Sequence, residues 1–301
     1  MSLRAAILKR LIGVQIAYAM RPDDPLERRA RIEAAGRHLK PPGDVVTTPV
    51  DAGGVKAEWL SSPTVDPGRV HLHLHGGAYY TGSLDTHREL ASRIGRAARM
   101  RSLLIDYRLA PEAAFPRALE DAAASYRWLL SEGFEPARLV VTGDSSGGGL
   151  AVALLVKLRD AGDPLPAGAV LFSPWLDLAL TGTTLRSNAR RDPINRLEYL
   201  EMSSRLYAAG NDLRNPLISP LYAPLGGLPP LLVQVGTDEV LLDDSVRFAA
   251  RAKEAGVQVT LDVYKGMFHE FQMSARFLPE GRRAIEAAGE FIRSLTPRAG
   301  A

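Results

Sequence analysis

The stretch LVVTGDSSGGGLAV, Leu139 to Val152, constrains this chain more than any other segment. An apolar run ends in a turn of glycines and two serines, and a helix-like apolar run follows at once. The pattern Gly143-Asp144-Ser145-Ser146-Gly147 is Gly-x-Ser-x-Gly between a strand and a helix. A serine there projects its hydroxyl from the carboxyl edge of a sheet at the head of the next helix. The helix dipole and the free N–H of Ser146 favour negative charge at that point. Glycines two residues before and after leave room for the crossing chain. A phosphate loop shares the setting but needs a lysine after its glycines, and none follows here. The dinucleotide fingerprint fails on spacing. A plain glycine turn remains open on the pentapeptide alone.

The rest of the chain alternates in a way that suits such a turn. RVHLHLH places Val70, Leu72 and Leu74 on one face and three histidines on the other. Strand patterns follow at 101–107, 138–142, 168–173, 230–235 and 257–264. Helical patterns fill 86–99, 117–131, 147–160, 243–255 and 282–295. This alternation predicts an α/β fold with a mostly parallel sheet covered on both faces. VVTTPV and GVKAEWL read as a hairpin across DAGG. Between Trp175 and Pro229 no strand pattern occurs. An inserted helical subdomain is expected there, because a structureless loop of that length does not suit a compact domain. RLEYLEMSSRLYAAG carries its helix, with Gly210 as the stop.

Residues 1–20 and about 25–39 read as two helices, the second started by Asp23 and Asp24 before Pro25. Leu3, Ile7, Leu11, Val14 and Tyr18 fall at spacings of three and four, an amphipathic pattern. A signal peptide is the rival reading, since Ala17-Tyr18-Ala19 mimics a cleavage site, but the apolar run is short and holds Gln15.

Composition excludes several functions. The 301 residues are 46% hydrophobic, enough for one large core. There is no cysteine, so disulfides, thiolate catalysis and zinc–thiolate sites are excluded. A formal charge of +3, from 37 basic and 34 acidic residues, gives nucleic-acid binding little support. No apolar run reaches the ~20 residues of a membrane span. A cytoplasmic setting is expected.

A serine hydroxyl needs a base and an orienting acid. In chain order Ser, acid, His, only His269 follows Ser145. The acid is expected after the strand in LLVQVGTDEVLLDDS, where spacing does not separate Asp238 from Glu239. Asp243 and Asp244 read instead as helix-start acids. Upstream, HLHLHGGAYYTGS supplies Gly76 and Gly77, whose N–H groups can face an acyl oxyanion beside the Ser146 N–H. His75 is expected to brace that loop. His71 and His73 share a strand face, so a metal-dependent amidohydrolase is a rival. The plainer expectation is that they line a buried face and that no metal is bound.

Four motifs in order resemble those of the bacterial hormone-sensitive-lipase-like (family IV) esterases of the α/β-hydrolase fold. They are HGGAYYTGS, DYRLAPEAAFPRALED, GDSSGGGLA and FHEF, and the similarity runs from about residue 45 to the C-terminus. The resemblance implies a mostly parallel eight-stranded sheet flanked by helices, with a helical cap. It divides the chain into cap helices 1–44, a first core part 45–176, a cap insertion 177–215 and a second core part 216–301. Ungapped matching places Glu239 on the family's catalytic aspartate. Tyr18, Met20, Tyr79, Tyr80, Met202 and Tyr207 become expected lining under the cap. The implied activity is hydrolysis of short- to medium-chain acyl esters by a Ser145–His269–Glu239 triad, with no cofactor and with a homodimer possible. A ligand receptor on the same fold, or an amidase or lactonase, is the alternative.

Overall fold

The computed structural model describes residues 2–295. Met1 of the expected first helix and residues 296–301 of the expected last core part lie outside them. Helices α1 (Leu3–Ala19) and α2 (Pro25–Gly36) come first. The Asp24 carboxylate caps α2 by accepting from the Leu26 N–H at 2.8 Å. The hairpin β1 (Val46–Asp51) and β2 (Lys56–Ser61) follows, then β3 (Asp66–Leu74), α3 (Leu84–Ala98) and β4 (Met100–Ile105). Next come α4 (Arg117–Ser131), β5 (Leu139–Asp144), α5 (Ser146–Ala161) and β6 (Gly168–Phe172). The insertion carries α6 (Thr184–Ser187) and α7 (Leu197–Ala208). The chain then returns through β7 (Leu231–Gly236), α8 (Leu242–Glu254), β8 (Val259–Tyr264) and α9 (Pro279–Leu295).

The eight strands form one sheet in the order β1-β2-β4-β3-β5-β6-β7-β8. β2 runs antiparallel to both neighbours, and every pair from β4 onward is parallel. The central strands β5, β6 and β7 are buried along their whole length, as a sheet covered on both faces requires. α5 is buried on every side from Ser146 to Val156, and Leu150, Val152, Leu154, Leu155 and Leu158 are all inaccessible. Each such side chain contributes about 1.5–3 kcal/mol by leaving water. This makes α5 a rigid post behind the serine turn.

The first helix forms as expected. Leu3, Ile7, Leu11, Val14 and Tyr18 form a stripe, but it faces outward, with exposures of 78%, 53%, 61%, 72% and 57%. Ala5, Leu8 and Ile12 pack instead on Met267, Phe268, Phe271 and Leu278. The helix has apolar residues on more than one side, and its slimmer side fits closer to the loop after β8. Asp243 and Asp244 lie in the first turn of α8, as expected of helix-start acids, and their carboxylates also reach beyond the helix. Asp244 Oδ2 accepts the Leu176 and Asp177 N–H groups at 2.9 Å, and Asp243 holds Thr183. Both tie the start of the insertion to α8.

Candidate active site

β5 ends in Asp144, and Ser145 turns the chain with φ 50° and ψ −120° before α5 begins. A non-glycine residue there is strained, by about 1–3 kcal/mol, and needs its surroundings to hold it. The Ser145 N–H donates to the Phe172 carbonyl at 2.9 Å, and its own carbonyl accepts from Trp175 N at 2.8 Å. The flanking glycines are required by contact. A β-carbon on Gly143 would lie 2.3 Å from the Gly147 carbonyl oxygen, and one on Gly147 2.0 Å from that of Leu74.

His269 reaches this turn from the loop after β8. Its Nε2 lies 2.9 Å from Ser145 Oγ, and its Nδ1 lies 3.0 Å from Glu239 Oε2. Glu239 Oε1 accepts from Ser173 Oγ at 2.8 Å and from the Gly236 N–H at 2.5 Å. All three side chains are enclosed, and Ser145 keeps 7% exposure. Burial pushes the Glu239 carboxyl up, while the His269 and Gly236 hydrogen bonds pull it back. Burial lowers the imidazole, but with Glu270 ionised its charge, together with the hydrogen bond and charge of Glu239, outweighs burial and takes His269 up to about 9. Asp238 faces away from this line and pairs with Lys9 Nζ at 2.5 Å. Geometry thus separates the two neighbouring acids that spacing could not.

The loop after β3 passes beside Ser145. The Gly76 N–H donates to Asp144 Oδ2 at 3.0 Å, so it is not free for an oxyanion and the expectation for Gly76 is corrected. Gly77, Ala78 and Tyr79 follow with φ of 115°, 52° and 63°. Among the described residues no acceptor takes the Gly77 or Ala78 N–H. His75 braces the loop as expected: its Nδ1 meets the Gly76 carbonyl at 2.8 Å and its ring stacks on Tyr107 at 4.1 Å. Tyr107 from DYRLAPE donates to the His75 carbonyl at 2.6 Å. Ser146 acts through its side chain too, since its Oγ accepts the Tyr79 N–H at 3.3 Å.

The remaining candidates separate. Tyr79 is buried and stacked on Tyr207 with ring centroids 3.7 Å apart. Tyr80 is buried with its hydroxyl 3.8 Å from Met20 Sδ, and Met202 Sδ lies 3.3 Å from Arg28 Nη1. These contacts join the N-terminal helices, the loop after β3 and α7. Tyr18 is not part of them: its ring lies outside against Arg21 and Arg31. His71 bridges Thr142 and Ser102, and burial pushes it down to about 3, which fits a strand histidine locked in the core. His87, Asp144 and Glu270 do bring ligand-type atoms within 4.8 Å of one another. Asp144 Oδ2 is already taken by the Gly76 N–H and His87 Nε2.

Three positions escaped the sequence reading. Ser173 holds Glu239, Asn188 Nδ2 donates to the Glu239 carbonyl at 2.8 Å, and Asp192 Oδ2 accepts the Val240 N–H at 3.0 Å. The last two come from the insertion and clamp the acid's loop. Asp192 also accepts from Ile194 N and Asn195 N, a local turn whose Asp-Pro-Ile-Asn pattern was visible.

A serine, an imidazole and a carboxylate joined in this order at the edge of an eight-stranded, mostly parallel sheet define a serine hydrolase of the α/β-hydrolase class. The family profile described as alpha/beta hydrolase fold matches residues 71–273. An acetyl-hydrolase of Streptomyces hygroscopicus is 48% identical over 264 residues, 88% of this chain and 87% of its own. A crystal structure of an esterase from the bacterial hormone-sensitive lipase family superposes with a TM-score of 0.95 at 44% identity, covering 98% of this chain and 99% of that one. EstE5 soaked with p-nitrophenyl butyrate gives 0.95 at 40% identity, covering 99% and 100%. The chain belongs to the α/β-hydrolase family and, within it, is an esterase closely related to the bacterial hormone-sensitive-lipase group.

Proposed function

We propose that the protein hydrolyses short- to medium-chain acyl esters of small molecules through an acyl-enzyme. Ser145 is the nucleophile and His269 the base that takes its proton. Glu239 holds the imidazole and balances its cation. The N–H groups of Gly77, Ala78 and Ser146 receive the oxyanion, with Ala78 in the place first given to Gly76. The alcohol leaves with the proton from His269, and water then releases the acid by the same route. The observation that carries this reading is the continuous Ser145–His269–Glu239 line, at 2.9 and 3.0 Å.

Residues 1–44 and 177–215 serve as the cap, with Tyr79, Tyr80, Met202 and Tyr207 shaping the acyl side and Tyr18 left out. The names printed for two similar proteins, an acetyl-hydrolase and an enzyme soaked with a butyrate ester, support small acyl groups. Among the described residues no helix is long and apolar enough to cross a membrane.

The test is turnover of a p-nitrophenyl ester series from acetate to longer chains by the purified protein. Activity is expected to peak at short to medium chains and to be blocked by a serine-directed organophosphate. Ser145→Ala is expected to lower kcat by roughly 10³-fold or more. Near-normal turnover by that variant would overturn the assignment.

A further inference from the structure

The residue after His269 is Glu270, and its backbone is left-handed, with φ 52° and ψ 35°. Its N–H is held by Ser173 Oγ at 3.1 Å. This turn sends the side chain inward beneath the loop after β3. Glu270 Oε1 is buried and lies 3.9 Å from His269 Nε2. It also crowds Gly76, where a β-carbon would come within 2.5 Å of it. An oxygen of the Glu270 carboxyl lies within 4.8 Å of one of Asp144. Two enclosed carboxyls this close do not both ionise readily, and a proton on one lets it donate to the other.

The donors around the pair show which one does. Asp144 Oδ2 accepts from the Gly76 N–H and lies 3.1 Å from His87 Nε2, while Oδ1 faces His73 Nε2 at 3.1 Å. Among the described residues no N–H donates to Glu270 Oε1. Charge therefore belongs on Asp144 and the proton on Glu270.

We propose, building on the esterase reading above, that Glu270 is a positioning residue whose proton, shared with Asp144, keeps negative charge away from His269 Nε2 and from the oxyanion loop. The working form pairs a neutral imidazole with a protonated Glu270. Its tautomer, imidazolium with an ionised Glu270, holds the same number of protons but has no base. The charge of Asp144 disfavours that tautomer.

The surroundings agree. Burial and then the charge of Asp144 push the Glu270 carboxyl up to about 8. The groups facing the pair are Asp144 from β5, His73 and His75 from β3, His87 from α3, and His269 on its own loop. Tyr107 follows β4, and Glu33 of α2 acts on His87 from behind. Glu270 is uncharged below its own pKa. As pH rises through about 8 it ionises, sets a second negative charge beside Asp144, and opposes the oxyanion.

The experiment is an infrared pH titration of the resting protein, isotope-labelled at the glutamate carboxyls so that aspartates do not contribute. It is run beside the pH profile of kcat/KM for p-nitrophenyl butyrate. The wild type is expected to show a protonated-carboxyl band at neutral pH that bleaches near pH 8, with kcat/KM falling over the same range. Glu270→Gln is expected to lack the band and to move the alkaline limb up by about one pH unit or more. Three results would overturn the proposal: no such band in the wild type, a band that survives in Glu270→Gln, or an alkaline limb unmoved by that variant. If Glu270→Gln does not fold, the wild-type band and its coincidence with the alkaline limb decide. The infrared reading needs no turnover, so it fails separately from the esterase assignment.

Discussion

Asp238 and Glu239 are adjacent in the chain, yet their carboxylates serve opposite sides of the loop after β7. One holds Lys9 of α1 at 2.5 Å and the other holds His269 at 3.0 Å. Substituting each to its amide therefore separates anchoring from catalysis. Glu239→Gln is expected to lower kcat by roughly 10⁴-fold, because the amide no longer balances the imidazolium. Asp238→Asn is expected to leave kcat within a few-fold and to lower stability by about 1 kcal/mol. Steady-state kinetics with p-nitrophenyl butyrate and a denaturant melt of both variants check this. A large kcat loss in Asp238→Asn alone would reverse the assignment.

Two glycine substitutions are expected to act in opposite directions. Gly147→Ala drives a methyl to 2.0 Å from a backbone oxygen, and a loss of at least about 3 kcal/mol is expected. Gly13 lies inside α1, where an added methyl meets Pro193 Cβ at an ordinary 3.5 Å. Gly13→Ala is expected to gain about 0.5–1 kcal/mol. Urea midpoints of both variants measure the contrast.

Acid sensitivity is expected to trace to Asp144. Burial alone would raise its carboxyl, but His87 and His73 hold it well below the ordinary 3.8. A depressed folded-state pKa gives stability that is present above the unfolded value and lost as pH falls through the folded one. The stability of the wild type should therefore drop steeply below about pH 4. Asp144→Asn should cost about 3–5 kcal/mol at neutral pH, by leaving the histidines unpaired, and flatten the acid slope. Chemical denaturation at a series of pH values reads both effects.

Tyr207 offers the reverse case. Its ring is stacked on Tyr79 and set edge-on to Phe115, but among the described residues nothing bonds its buried hydroxyl. Tyr207→Phe keeps the ring contacts and removes an unsatisfied group. The melting temperature is expected to hold or rise, by up to about 1 kcal/mol in stability. A clear fall would reveal a partner for that hydroxyl.

What the chain discloses before folding depends on how local the signal is. The Ser145 turn was legible because strand, glycines and helix lie within fourteen consecutive residues. His269 followed by chain order, since no other histidine comes after Ser145. The spacing in α1 announced the helix but not the outward direction of its stripe, because periodicity locates an apolar face without saying which neighbour it meets. Gly76 was misassigned because the Asp144 carboxylate, 68 residues away, claims its N–H. Ser173 and Asn188 bond Glu239 and Asp192 bonds Val240 from 48 to 66 positions away, and no local pattern announces those partners. Glu270 escaped for a further reason: only its left-handed backbone turns an apparent loop acid inward.

The glycines around Ser145 have a consequence for how such a protein can change over generations. At Gly143, Gly147, Gly149 and Gly236, even one added carbon meets a main-chain oxygen at 2.0 to 2.3 Å. No single-residue step at those places leads to a working neighbour. Variation is left to the ring of side chains overhead, where Tyr80, Met202 and Tyr207 can be exchanged without moving the backbone beneath. New tastes in substrate can thus be tried while the chemistry beneath stays the same.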